Sequence, residues 1–207
     1  AAIGSPIAHS LSSAIHRAAF EAAGLDWSYV SFEVPAGRGA AAVEAMRTLG
    51  LRGLSVTMPH KDAVAAAVDR LDSAAAALAS VNTVSWDGTE LVGHSTDGAG
   101  FVDSLRADGV GVAGMRVAVI GAGGASRSVI EALDRIGVSD IAGLNRTPGR
   151  AVGAADVAGS GRLGGRADLA RADLVVNATS VGMGIDPARA GDGELPCPPQ
   201  ELAGDAV

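Results

Sequence analysis

Cysteine, lysine and aromatic side chains are almost missing from this chain of 207 residues, which has 1 Cys, 2 Trp, 1 Tyr and 3 Phe. The single cysteine, Cys197, excludes an internal disulfide and any cysteine-based metal cage, and it fits a reducing compartment. With so few aromatics, Trp27, Trp86 and the phenylalanines are expected in the core or at its rim and not as a stacking platform. No uncharged apolar run reaches the roughly 18 residues of a membrane span. The opening AAIGSPIAHSLSS lacks the basic flank and apolar stretch of a signal peptide, so the expected compartment is the cytoplasm. Positive charge is also in deficit: the net charge is −7 and the arginines are scattered, which argues against a nonspecific nucleic-acid or membrane-surface binder. Small-molecule chemistry is the better expectation.

What is present is a chain rich in hydrophobic residues (48%) and glycine (29), large enough to bury a core. Its alanine-rich stretches are broken at helical spacing by Val, Leu and Met, and read as amphipathic helices. Helical and strand-like patterns alternate. HSLSSAIHRAAFEAAG reads as helix, WSYVSFEV as strand, GRGAAAVEAMRTLG as helix, LRGLSVT as strand and PHKDAVAAAVDRLD as helix. Such alternation predicts an α/β protein with a largely parallel sheet. Residues 81–95 then read as a β-hairpin turning at Asp-Gly. GAGFVDSLRADGV reads as a helix able to link two lobes. The expected domains are 1–98 for substrate and catalysis, 99–114 as linking helix and loop, and 115–207 for a dinucleotide. ELAGDAV ends where the next strand of such a fold would begin, so the natural protein is expected to continue with further strands and helices.

The second half opens on MRVAVIGAGGASRSVIEAL, a buried strand, a glycine turn and a helix, followed by a second strand in DIAGL and a third in ADLVVNAT. Gly121 allows the tight turn, while Gly123 and Gly124 let backbone approach a pyrophosphate over the positive end of the next helix. The strand before and helix after are the context that turns a bare glycine motif into a cofactor signal, although a structural glycine turn has the same letters. Near the end of the second strand an NAD-selective fold carries an acid for the ribose hydroxyls. Here stand Asn145, Arg146, Thr147 and, further on, Arg150. Guanidinium groups suit a 2′-phosphate, which favours NADP over NAD; solvated arginines at a strand end are the plainer reading.

The chemistry is expected around Lys61, the only lysine beside 15 arginines. The strand LSVT delivers Thr57 at its carboxyl end, Pro59 suits the first turn of a helix, and Lys61 follows in that turn. A lysine can exchange protons where its surroundings favour the neutral amine, as the positive end of a helix does; an arginine keeps its proton. A solvated lysine at a helix start is the alternative. STDG places Asp97, a carboxylate that could orient such a lysine, after the hairpin, but spacing alone does not bring the two together.

GSPIAHSLS, SVTMPHK, SVNTV, STDGAGF, GAGGASR, NRT and NATSVGM occur in this order along almost the whole chain, and together they resemble the shikimate dehydrogenase family. The resemblance implies an N-terminal α/β substrate lobe, a C-terminal Rossmann-type lobe and an active site in the cleft between them. It also implies reversible reduction of 3-dehydroshikimate to shikimate with NADPH, in the route to chorismate and the aromatic amino acids. Lys61 and Asp97 would then be the catalytic pair. Ser10 and Ser12 would bind the substrate carboxylate, though lying before a helix they also read as N-caps. Thr57 and Asn82 would hold ring hydroxyls and carboxylate; Asn82 by itself reads as a strand or turn residue. Gly121, Ala122, Gly123, Gly124 and Ala125 match the pyrophosphate loop, and Asn145, Arg146, Thr147 and Arg150 the clamp on the adenosine phosphate. Thr179 and Met183 match the segment flanking the nicotinamide. The family leaves room for a homodimer.

Two departures stand out, Ser13 where the family has Pro and Ser95 where it has Asn. A relative acting on quinate or an aminated shikimate, with NAD as an option, shares most of these motifs, and Ser13 and Ser95 are where substrate choice would show. A ligand-sensing module on the same fold would not need both Lys61 and Asp97. Another two-lobed NADP dehydrogenase fits HSLS and NATSVGM poorly. His9, His16, His60 and His94 lack a carboxylate cluster and read as hydrogen-bonding or solvated residues, so no metal is expected.

Overall fold

The structure is a computed structural model that describes residues 1–8, 10–179 and 181. The backbone divides into two compact units, Ala1–Thr96 and Asp97–Val207. Among the described residues no helix is long and apolar enough to cross a membrane.

The first unit is built on a six-stranded sheet in the order β2-β1-β3-β5-β6-β4. Its strands are β1 (Ala2–Gly4), β2 (Ser31–Glu33), β3 (Gly53–Val56), β4 (Arg70–Leu71), β5 (Thr83–Asp87) and β6 (Glu90–His94). β1 pairs in parallel with β2 and β3, while β3–β5 and β5–β6 are antiparallel and β4–β6 parallel. This sheet is mixed and not largely parallel as the alternation predicts, because the hairpin folds straight back on itself. Gly88, with φ 61, and Thr89 form its two-residue turn, and the left-handed conformation matches the twist of the flanking strands. Helix α2 (Gly39–Leu49) buries Gly39, Val43 and Met46, spaced by helical turns, and Val43 and Met46 join a core with Ile3, Leu54, Val56 and Val84. Each such aliphatic side chain contributes about 1.5–3 kcal/mol when buried. Helix α1 (Ser12–Ala22) buries none of its residues, and Leu11 and Ile15 are exposed.

The helix read from Pro59 to Asp72 is much shorter. It appears as α3 (Lys61–Ala65), followed by turns and the two-residue β4, and α4 (Ser73–Leu78) begins after that. Pro59 precedes the helix in a turn with a cis Met58–Pro59 bond, so it does not occupy the first helical turn.

Among the described residues the second unit carries a four-stranded sheet, all parallel, in the order β10-β7-β8-β9. The strands are β7 (Arg116–Ile120), β8 (Asp140–Leu144), β9 (Gly161–Leu163) and β10 (Leu174–Asn177). Helices α5 (Asp97–Ala107), α6 (Gly124–Arg135), α7 (Pro148–Ala155) and α8 (Arg166–Leu169) accompany them. Val117, Ala118 and Val119 are all buried, since both faces of the sheet are covered: Val117 and Val119 pack with Ile130 and Leu133 of α6, Ala118 with Leu169 of α8. α5 packs on α6 at Gly98, where a Cβ would run into the Ser128 carbonyl oxygen. The chain leaves β9 to return beside β7 as β10, and the strand order reverses there. Ligands of open parallel sheets bind at the carboxyl ends of the strands flanking such a reversal.

Candidate functional site

In the second unit a groove of about 520 Å³ lies at that reversal. Ile120 ends β7 and Gly121, Ala122 and Gly123 form the turn after it, Asn145, Arg146 and Arg150 come from the end of β8 and the start of α7, and Ala178, Thr179 and Val181 follow β10. Gly121 has φ +123, and a Cβ there would stand 2.8 Å from the Ala178 carbonyl oxygen. Glycine is therefore required by conformation and by space. Its amide donates to the Leu144 carbonyl at 2.8 Å, and the Ala178 amide donates to the Ile120 carbonyl at 2.9 Å, so the three strand ends are tied together.

Gly123 is the N-cap of α6 and offers no side-chain cap, and no atom lies within 4 Å of where a Cβ of Gly123 or Gly124 would be. The first amides of a twelve-residue helix, open to close approach, suit the oxygens of a pyrophosphate. Ala125 follows in that first turn and is exposed. Arg146, Thr147 and Arg150 are exposed, and among the described residues the groove lining holds two arginines and no carboxylate. Asn145 donates from Nδ2 to the Thr147 carbonyl at 3.1 Å, which fixes the bend carrying Arg146. These features fit a dinucleotide with an added phosphate. Thr179 lines the groove as the motif suggests, whereas Met183 lies outside the described residues.

Sequence reasoning passed over Asn177. Its Oδ1 accepts from the Thr179 amide at 3.0 Å and hydroxyl at 2.7 Å, and its Nδ2 donates to the Val181 carbonyl at 3.2 Å, so it shapes the segment after β10. Ser126, fully buried under the glycine turn, went unnoticed too, because a serine inside a helix pattern carries no signal of what lies above it.

In the first unit the parallel neighbours β1 and β3 deliver their turns side by side. The Ser5 amide donates to the Met58 carbonyl at 2.9 Å, and the Thr57 amide to the Ile3 carbonyl at 3.0 Å. After the β1 turn, Ser10 and Ser12 hydrogen-bond to each other through their hydroxyls at 3.0 Å. Neither is the N-cap of α1. That position is Leu11, without a side-chain cap bond, and Ser12 is the first helical residue, whose amide donates to Ser10 Oγ at 3.2 Å. The chain enters α1 one residue earlier than a serine cap would require, and the hydroxyls act on each other instead. Ser13 pairs with Ser31 through hydroxyls 2.9 Å apart, and Ser95 is buried.

Thr57 is exposed at the end of β3, and its carbonyl accepts from the His60 amide at 3.1 Å. Lys61 is the half-buried first residue of α3, a helix of only five residues, so the macrodipole of a long helix is not available there. The Lys61 carbonyl accepts from the Val81 amide at 3.1 Å, and the Asn82 carbonyl accepts from the Val56 amide at 2.7 Å. Thr57, Lys61 and Asn82 are thereby brought together. The Asn82 side chain clasps Thr96: Nδ2 donates to Thr96 Oγ1 at 3.0 Å and Oδ1 accepts from the Thr96 amide at 3.0 Å. Asp97, next in the chain, opens α5 and the second unit, an acid in the favourable first turn of a helix.

Two further residues of this unit were not picked out for a role. His60, 1% exposed, donates from Nε2 to the Val34 carbonyl at 2.8 Å and so anchors the residue before Lys61. Thr96 holds Asn82. Their places inside SVTMPHK and STDGAGF were the signal that could have pointed to them.

Residues 2–84 match the family model of the shikimate dehydrogenase substrate binding domain. The shikimate dehydrogenase (NADP(+)) of Rubrobacter xylanophilus is 46% identical over 210 residues, covering 97% of this chain and 72% of that protein. Among solved structures, shikimate 5-dehydrogenase from Thermus thermophilus in complex with NADP(H) and shikimate superposes with a TM-score of 0.89 at 34% identity, over 99% of this chain and 75% of that one. The ligand-free 5-ketofructose reductase of Gluconobacter sp. strain CHM43 gives 0.80 at 31% identity, over 94% and 74%.

Proposed function

This chain belongs to the shikimate dehydrogenase family, and from that membership we propose that it is an NADP-dependent oxidoreductase that interconverts 3-dehydroshikimate and shikimate. One observation supports the reading: the turn Thr57–Lys61 is fastened by backbone hydrogen bonds to the strand end bearing Asn82, so the backbone of three separate motif segments is drawn together beside the single lysine.

The nicotinamide, when bound, supplies or accepts the hydride at the ring carbon. The chain's own residues do the rest. Lys61 gives a proton to the carbonyl oxygen as it is reduced and takes it back in the reverse direction, work an arginine cannot do because its guanidinium does not release protons. Asp97 is the second catalytic residue, a carboxylate that accepts from a ring hydroxyl. Thr57 and Asn82 hold the ring by neutral hydrogen bonds, and Ser10 and Ser12 turn their hydroxyls to the substrate carboxylate. In the second unit Gly121 to Ala125 hold the pyrophosphate on backbone amides, and Arg146 and Arg150, with Asn145 and Thr147, hold the 2′-phosphate. Thr179 borders the nicotinamide end.

The test is turnover by the full chain, followed by nicotinamide absorbance with shikimate or quinate and NADP⁺ or NAD⁺. Shikimate with NADP⁺ should be fastest. No turnover in any combination by folded protein would overturn the reading.

A further inference from the structure

Three side chains outside the proposed site form a continuous chain across one face of the first sheet. Asp72, just after β4, splits its carboxylate: Oδ1 accepts from the Ala75 amide at 2.7 Å and caps α4, while Oδ2 lies 3.0 Å from His94 Nδ1. His94, the last residue of β6, places Nε2 at 2.9 Å from Ser85 Oγ on β5. A carboxylate only accepts, so Nδ1 carries the proton and Nε2 of the neutral ring accepts from the serine hydroxyl. If the ring is protonated, the hydroxyl turns and accepts instead, and both bonds survive.

The order Asp–His–Ser is also that of hydrolase triads. Here, however, Ser85 stands mid-strand in β5, which is paired on both sides, so its backbone belongs to the sheet ladder and is not free to hold an oxyanion. The position of His94 points elsewhere. Its backbone carbonyl accepts from the Asn82 amide at 2.9 Å, and Thr83 pairs with it as the final rung of the hairpin. Beyond that rung are only Asn82 on one strand and Ser95 and Thr96 on the other. On its other side β5 is flanked by β3, whose Val56 amide donates to the Asn82 carbonyl, yet the last rungs of a sheet open more readily than its centre unless side chains also tie them down.

We propose that His94 is a positioning residue: anchored by Asp72 and Ser85, it fixes the open end of the hairpin so that Asn82, clasped to Thr96, is held ready for the substrate. The inference rests on the reading of Asn82 as a substrate-binding residue. It assigns the chain of three to ground-state binding of the ring and not to the hydride or proton step.

The experiment is a double-mutant cycle with His94→Ala and Asn82→Ala in the full chain, scored by steady-state kinetics. His94→Ala should raise the KM for shikimate about 3- to 10-fold, the loss expected when one or two hydrogen bonds no longer hold a binding group. Its kcat and its KM for NADP⁺ should stay within about twofold. In the Asn82→Ala background the same change should add almost nothing, because the group it positions is gone. His94→Asn, whose Nδ2 stands where the ring Nδ1 does, should recover much of the affinity. Ser85→Ala, which removes only the far bond and leaves the α4 cap intact, should show the same pattern more weakly. An equal effect of His94→Ala with and without Asn82, or a loss confined to kcat, overturns the inference while leaving the proposed function standing. An unchanged shikimate KM in Asn82→Ala alone overturns it through its premise, and the role of Asn82 with it.

Discussion

The two units assemble their candidate sites by opposite routes. In the second, three strand ends of one parallel sheet present the glycine turn, the arginine bend and the residues Ala178, Thr179 and Val181 along a single edge, and each contribution is local in sequence. In the first, Ser10, Thr57, Lys61 and Asn82 arrive from turns, a five-residue helix and a hairpin end, in a sheet of mixed direction. A parallel sheet puts every carboxyl end on one side by construction, so a motif's place follows from its strand. A mixed sheet needs specific hydrogen bonds between remote segments to reach the same end, and its site is accordingly harder to read and easier to disturb.

The largest effect should come from the first unit, where the chemistry is concentrated. Lys61→Arg keeps the charge but not the proton exchange, and kcat should fall roughly 10²–10⁴-fold while shikimate binding, read by titration calorimetry, changes far less. Near-full turnover by that variant would erase the proposed division between a first unit that reacts and a second that holds the cofactor.

A smaller effect should appear in the second unit. Arg146→Ala removes a charge-assisted contact, and KM for NADP⁺ should rise about 10- to 100-fold while KM for NAD⁺ stays within about twofold. Equal losses for both cofactors would mean that the arginine supports the fold of the bend and does not select the phosphate.

The smallest effect is a matter of acid stability. Asp173 accepts from Arg116 Nη2 at 2.7 Å and Nε at 3.1 Å and from the Arg116 amide at 2.9 Å. Those bonds, the guanidinium first and the backbone amide next, hold its pKa down at about 2 against an ordinary 3.8. A depressed carboxylate binds fewer protons folded than unfolded, so its stabilisation is complete above about 4 and is lost as the pH falls toward 2. Asp173→Asn should therefore lower the urea midpoint slightly at neutral pH, and the gap from the parent chain should close across that window. Asp69 in the first unit, lowered by the Leu91 amide and then by Arg47, should respond to Asp69→Asn with the same sign. A gap independent of pH would contradict the ion-pair account.

Much of this was legible in advance, and unevenly. DIAGL forms β8 at its read bounds, because the short apolar run Ile141 to Leu144, between Ser139-Asp140 and Asn145-Arg146-Thr147, leaves a buried strand little freedom. The long helix drawn through DAVAAAVDRLD failed. Alanine favours helix throughout that stretch, yet Arg70 and Leu71 pair with Val92 and Gly93 on β6, and Arg70 is held by Asp87 and Glu90, so tertiary pairing overrides propensity. Helix α4 ends on Ala79 in the left-handed region, φ 48, with no glycine to announce it.

By itself the sequence determined the kinds of chemistry available: one lysine that can exchange protons, a glycine turn that tolerates a pyrophosphate, arginines in place of an acid, and an alternation that demands α/β layers. Only the tertiary structure decided which groups meet. Thr57, Lys61 and Asn82 come together through the Lys61–Val81 and Val56–Asn82 backbone hydrogen bonds, and Asp72, His94 and Ser85 through the pairing of three strands. The physical reason is that composition and period report on local preference, whereas a contact between segments twenty or more residues apart depends on register, and register is set by the whole sheet.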